Sequence, residues 1–261
     1  GNRLAPGTPF VIEADEYDSA FVAKGSKFLH SRPRTAILNN LEYDHAELFP
    51  DLESIETQFH YLVRTVPGNG LLVVNGADQN LTRVLDKGCW TPRQSFALAA
   101  GDWSVARMVA DGSAFDVLHK DKLAGTVNWN LLGLHNVQNA LAAIAAANHV
   151  GVSPETAAAA LSRFQGVKRR LEIRGQVDGV TVYDDFAHHP TAIATTLAGL
   201  RKRVGQARII AVLEPRSFTM KAGVHRDTLS AALQDADRVF VYQAPNIDWD
   251  IAAALRGLGS R

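Results

Sequence analysis

Tyr183-Asp184-Asp185-Phe186-Ala187-His188-His189-Pro190 constrains this chain more than any other stretch. Val180-Thr181-Val182-Tyr183 reads as a buried strand, and Pro190 suits the first turn of a helix, where its missing N–H costs nothing. Two carboxylates and two imidazoles therefore fall at a strand-to-helix crossing, and in open α/β sheets that edge is where ligands bind. The alternative is that Asp184 or Asp185 only caps the helix and the histidines are solvated.

The 261 residues are 46% hydrophobic and 21% charged, enough for two ordinary globular domains. Lys and Arg number 27, as do Asp and Glu, so no broad basic surface points to nucleic acid or to an anionic membrane. Any anionic ligand must be met by local groups. Cys89 is the single cysteine, which excludes an internal disulfide framework. Apolar runs such as Ala140 to Ala147 are too short to span a bilayer, and the first residues do not read as a secretory signal, so a cytoplasmic location is the expectation.

Phe10-Val11-Ile12, ending in Glu13-Ala14-Asp15-Glu16, and Thr35-Ala36-Ile37-Leu38, ending in Asn39-Asn40, both read as buried parallel strands. Between Asp51 and Val66 the apolar residues Leu52, Ile55, Phe59, Leu62, Val63 and Val66 recur at helical spacing, and Pro67-Gly68 stops the pattern. Leu71 to Asn75 is a further strand, and short alternating segments from Ser95 to Trp129 predict an antiparallel sub-sheet. Asn136 to Val150 reads as a helix closed by Gly151, and Ser153-Pro154 opens another that runs to Phe164. A new series begins near Val167, with strands at 171–177, 180–183, 209–213 and 239–242 and helices from Pro190 and about Arg226. The fold class is therefore α/β: a mostly parallel central domain over 1–166 with a small antiparallel sub-sheet, then an incomplete Rossmann-like domain over 167–261.

Several groups could carry chemistry. Glu13, Asp15 and Glu16, and then Glu42, Asp44 and His45, follow strand ends, where hard oxygen donors and an imidazole suit Mg²⁺ beside a phosphate-bearing substrate; solvated acidic loops are the alternative. Asn136 and Asn139 share one helix face and can offer paired donors and acceptors to a heterocycle such as adenine, although Asn136 could be only an N-cap. Lys168-Arg169-Arg170 lies at the interdomain joint, where guanidinium groups could grip phosphate oxygens, or form an ordinary basic linker.

Taken in order, Glu13-Ala14-Asp15-Glu16, Asn40-Leu41-Glu42-Tyr43-Asp44-His45, His135-Asn136-Val137-Gln138-Asn139, Arg169-Arg170 and Asp184 to Pro190 resemble the Mur ligase family of peptidoglycan synthesis. The resemblance covers essentially the whole chain. Tyr17, the insertion Lys24 to Arg34 and the run Leu213 to Lys221 favour the branch that attaches a preformed tripeptide over the branch that adds L-alanine.

The resemblance implies ATP-dependent amide formation with ATP and Mg²⁺ as cofactors, and UDP-N-acetylmuramate and a murein tripeptide as partners. It implies that Glu13 and His45 belong to magnesium sites, that Asn136 and Asn139 lie at the nucleotide, that Arg170 stabilises γ-phosphate transfer, and that Asp185 holds the ribose. His188 and His189 would line the same cleft. Asn40, Arg216, Ser217, Thr219 and Lys221 would serve the substrates, the last four in a peptide-binding part of the C-terminal domain. Family members carry a Gly-Lys-Thr phosphate loop, and the dipeptide Gly-Lys occurs nowhere here, so the expectation is a fragment without turnover of its own. Two rivals remain at this level: a two-metal phosphoesterase built on Asp184, Asp185, His188 and His189, and a binding module that retains nucleotide or peptide affinity only.

Overall fold

A computed structural model describes residues 2–3, 9–14 and 26–259. Asp15, Glu16, Tyr17 and Lys24 lie outside the described residues. Strand β1 (Asn2–Arg3) pairs antiparallel with β2 (Val11–Ile12). This corrects the first strand expectation: Val11 is 69% exposed, and the pair stands apart from the main sheet. Three apolar residues fit a buried strand and a two-stranded ribbon equally well, and periodicity cannot separate them.

The main sheet runs in the order β3 (Thr35–Leu38), β4 (Leu71–Asn75), β5 (Arg93–Phe96), β6 (Trp103–Ala106), β7 (Ala114–His119), β8 (Lys122–Asn128). The first four pair parallel and β6, β7 and β8 antiparallel, so the expected sub-sheet extends the parallel sheet and does not stand beside it. Helix α1 (Leu52–Thr65) forms where the spacing predicts it; Asp51 caps it by accepting from Ser54 N at 2.8 Å. Helix α2 (Gln79–Asp86) escaped the periodicity reading because it is only two turns long.

Two cores flank this sheet. On one side Leu62, Val63, Leu72, Leu81 and Val84 close over α1 and α2. On the other, Val73, Phe96, Trp103 and Phe115 pack on α3 (Leu134–His149) and α4 (Pro154–Leu161). The alanines of α3 let it lie close to the sheet: Ala140, Leu141, Ala142, Ile144 and Ala145 are all buried. Ser153 caps α4 as expected, but the helix stops at Leu161 and not at Phe164.

Asp78 links this framework to the site. Its Oδ1 accepts from the amides of Asn80 and Leu81 at 2.8 and 2.9 Å, capping α2, while Oδ2 accepts from Leu41 N at 2.8 Å and anchors the segment that leads to His45. Asp78→Ala should cost about 1–2 kcal/mol in chemical denaturation, at the upper end for a cap because a second segment loses its anchor. A loss below about 0.5 kcal/mol would show that the segment holds itself.

Beyond residue 166, β9 (Glu172–Val177) and β10 (Val180–Asp184) form an antiparallel hairpin, and β11 (Ile210–Leu213) and β12 (Arg238–Val241) a separate parallel pair. The sequence reading of 180–183 as a buried strand is corrected here: Val180 and Val182 are exposed, because a two-stranded ribbon has no layer over its outer face. Helices α5 (Pro190–Val204), α6 (Phe218–Lys221), α7 (Arg226–Ala232) and α8 (Ile251–Ala254) complete this part. Its core of Ile193, Leu197, Leu200, Leu229 and Leu233 also takes in Leu132 from the loop before α3. Among the described residues no helix is long and apolar enough to cross a membrane.

Candidate functional site

A cleft of about 1410 Å³ lies between the main-sheet body and the C-terminal elements. Its lining gathers Asn40, Glu42 and His45 from the end of β3, Asn136 and Asn139 from the first turns of α3, Arg170 from the loop before β9, and Asp185 and His189 from the loop before α5. Segments more than a hundred residues apart thus meet at the carboxyl edges of strands, as the motif positions predict. Glu13 follows the exposed β2 and is not in the lining, and His188 lies beside the lining and not within it.

The local geometry explains how each group is held. Asn136 does not cap α3, since Gly133 stands at that position with φ +92; its Nδ2 donates to Leu132 O at 2.7 Å. Asn139 Oδ1 accepts from Asn39 Nδ2 at 2.8 Å, which leaves its own amide N–H groups for a ligand. Asn40 Nδ2 donates to Glu42 Oε1 at 3.3 Å. Arg170 sits between two residues with left-handed backbone, Arg169 (φ 58) and Leu171 (φ 48), a conformation that costs energy for side chains with a Cβ and concentrates at functional sites.

Asp185 holds that bend. Its Oδ2 accepts from Leu171 N at 2.7 Å and its Oδ1 from Ala187 N at 2.8 Å, so one carboxylate ties the Arg170 loop to the turn before α5. The Phe186 ring carries the Arg169 guanidinium at 4.9 Å and that of Arg170 at 5.9 Å. Neither Asp184 nor Asp185 caps α5: His189 does, with Nδ1 accepting from Thr191 N at 3.3 Å.

Contacts between the two bodies concentrate at this point. Glu42 Oε2 accepts from Thr191 Oγ1 at 2.5 Å and faces His189 Nδ1 at 3.6 Å. His188 Nε2 stands 4.0 Å from Asp44 Oδ2, while its Nδ1 meets Phe186 O at 2.9 Å. On the far side of the seam, Arg203 pairs with Asp111 at 3.0 Å. Thr219, expected at the peptide, is 1% exposed, and its hydroxyl accepts from Ala46 N at 3.4 Å, so it joins the two bodies. Ser217 caps α6 by accepting from Met220 N at 3.2 Å. Arg216 is exposed, 3.7 Å from Glu214, and Lys221 lies at the end of α6.

Two residues of this region carry no sequence signal of their own. Thr191 is one of many threonines, and only its place in the first turn of α5 aims it at Glu42. His225 precedes α7 and meets the His189 ring edge-on at 4.4 Å.

The site is electrostatically tense. Burial works to raise the Asp44 carboxyl, but hydrogen bonds from Thr219 and the His45 amide and the nearby His45 and His189 rings hold it below the ordinary carboxylate range. Burial pushes His135 and His225 below the usual imidazole range, and for His225 the neighbouring His189 adds to this against Asp44 and Glu42. These imidazoles bind protons more readily in the unfolded chain, so stability rises with pH across their range and falls once pH drops below about 6.5. Melting temperatures taken between pH 8 and pH 5.5 should be level above neutrality and then decline; a flat or rising trend below pH 6.5 would contradict the assignment.

For a metal ion, His45 (φ 53), Asp44 and Glu42 offer an imidazole and hard oxygen atoms at the cleft edge. Among the described residues no three such side chains converge enough to hold an ion alone. That donor set fits Mg²⁺, which commonly completes its shell with substrate phosphates and water.

Residues 7–147 match the family described as Mur ligase middle domain, and residues 169–261 match the Mur ligase glutamate ligase domain. A UDP-N-acetylmuramate–L-alanyl-γ-D-glutamyl-meso-2,6-diaminoheptandioate ligase of Escherichia coli (strain K12) is 54% identical over 244 residues, which is 93% of this chain and 53% of that protein. A protein of the same description from Haemophilus influenzae is 49% identical over 251 residues, covering 96% and 55% of the two chains. The crystal structure of a murein peptide ligase from Psychrobacter arcticus shares 48% identity at a TM-score of 0.65, covering 94% of this chain and 51% of that one. The chain spans about half the length of the curated relatives it matches.

Proposed function

Because the chain belongs to the Mur ligase family, we propose that the intact protein joins UDP-N-acetylmuramate to the tripeptide L-alanyl-γ-D-glutamyl-meso-diaminopimelate at the expense of ATP. The observation that carries this reading is the convergence of Asn136, Asn139, Arg170 and Asp185 on one interdomain cleft. Within it, residues 1–166 form the central nucleotide-binding domain and 167–261 the C-terminal domain, in line with the separate apolar cores of the two parts.

The chemistry has two steps. A lactyl carboxylate oxygen attacks the γ-phosphorus, the bond to the β-phosphate oxygen breaks, and ADP leaves an acyl phosphate. The tripeptide's α-amine then attacks the acyl carbon, loses a proton, and expels phosphate through a tetrahedral intermediate. Arg170 meets the charge that develops on the transferring oxygens, and most of the acceleration comes from holding the reactants in line in a closed cleft. Magnesium would neutralise charge on the phosphates, with His45, Asp44 and Glu42 placed at the cleft edge to help hold it. Asn136 and Asn139 face the base, and Asp185 keeps acceptor capacity for the ribose beyond its two backbone amides.

Glu13 and His45 serve the metal in this reading, and Asn40 the sugar-bearing substrate. Arg216 and Lys221, in the segment that follows β11, serve the tripeptide's carboxylates in this reading; Ser217 shapes that loop through its cap. In this reading the reaction takes place in the cytoplasm.

The test is isotopic. With ¹⁸O in the lactyl carboxylate, one labelled oxygen should appear in the released phosphate for each peptide bond formed. Label retained wholly in the product would rule out an acyl phosphate.

A further inference from the structure

His135 lines the cleft from the first turn of α3 and has no task in the scheme above. Its ring rests on the bare backbone of Gly133: a Cβ there would come within 2.6 Å of Cε1 and 2.8 Å of Nδ1. Nδ1 is buried and has no hydrogen-bond partner. A sealed N–H without an acceptor is costlier than a sealed lone pair, so the proton belongs on Nε2. With Nδ1 closed off, Nε2 is the nitrogen through which the ring meets a ligand.

We propose that His135 donates its Nε2–H to a phosphate oxygen of the bound nucleotide beside Arg170, as a further ligand-contacting residue of this site. The inference rests on the nucleotide reading given above. Burial holds the imidazole below its ordinary range; Asp185 opposes this and Arg170 reinforces it. The ring is thus a neutral donor that can stand near a guanidinium without repelling it. A neutral imidazole kept uncharged by burial and by the positive end of a helix is a known electrophilic device. Asp185 repels anions on its own side of the ring, which places the phosphate toward Arg170.

Glutamine sets an uncharged N–H near the place of Nε2, whereas asparagine reaches only the place of Nδ1. Full-length wild-type protein and the variants His135→Gln, His135→Asn and His135→Ala would be titrated calorimetrically with ADP and with adenosine, and their melting temperatures compared. His135→Gln should bind ADP within about threefold of wild type, and His135→Asn and His135→Ala should lose about tenfold to a hundredfold, as for a hydrogen bond to a charged acceptor. Adenosine affinity should stay unchanged in all of them. The proposal is overturned if asparagine matches glutamine at comparable melting temperature, or if adenosine binding falls as far as ADP binding, which would place the ring at the sugar or base. A wild-type protein that binds ADP but joins no peptide would contradict the proposed reaction and leave this result intact.

Discussion

Replacing Arg170 with alanine in the intact protein should lower turnover by about two to three orders of magnitude, the scale seen when one preorganised charge-stabilising donor is removed. ATP affinity should fall far less. The reason lies in how the side chain is held: left-handed backbone on both sides, Asp185 pinning Leu171 N at 2.7 Å, and the Phe186 ring beneath the guanidinium. Such a group needs no reorganisation when charge appears on the transferring phosphoryl oxygens. Arg170→Lys should recover little, because an ammonium keeps the charge but not the two-pronged contact. Single-turnover kinetics beside ATP titration separate the cases: equal losses in both would assign Arg170 to ground-state binding, and unchanged kinetics would return it to a solvated linker.

The second large effect concerns the seam. Leu132→Ala should cost about 2–4 kcal/mol, since Leu132 leaves the central body to fill the C-terminal core beside Ile193 and Leu197. The same change should loosen the docking of the two bodies. α5 approaches Gly133 closely enough that a Cβ on Gly199 would lie 2.8 Å from the Gly133 Cα, so the packing there tolerates little displacement. Limited proteolysis of the 163–171 segment should accelerate in the variant alongside the lower denaturation midpoint. A variant that is cut at the wild-type rate would show that the Glu42–Thr191 and Arg203–Asp111 contacts hold the bodies without Leu132.

Much of this fold is legible in the sequence. Helix α1 and strand β4 carry strong, uninterrupted patterns, and Ser153-Pro154 and Pro190 announce their helices through chemistry local to a few residues. The sequence also places Asn136, Asn139, Arg170 and Asp185 at element ends, where strand and helix polarity bring them to one edge. What it could not carry is pairing. Phe10-Val11-Ile12 and Val180-Thr181-Val182-Tyr183 look like buried strands because an apolar run says nothing about what lies across from it. Thr219 was placed at the peptide by the resemblance alone, and its burial against Ala46, 173 positions away, is likewise a pairing no local pattern carries. The short helix α2 and the role of Asp78 depend on a cap and a loop anchor, signals too brief for a periodic reading.

The most direct measurement is phosphate release by the full-length protein with ATP, Mg²⁺ and UDP-N-acetylmuramate, comparing the murein tripeptide with L-alanine at equal concentration. The account predicts stoichiometric ADP, phosphate and UDP-N-acetylmuramyl-tripeptide, with kcat/KM for tripeptide well above that for L-alanine. Faster ligation of L-alanine would move the protein to the other branch of the family. Phosphate release that ignores both amines would contradict the ligase reading itself.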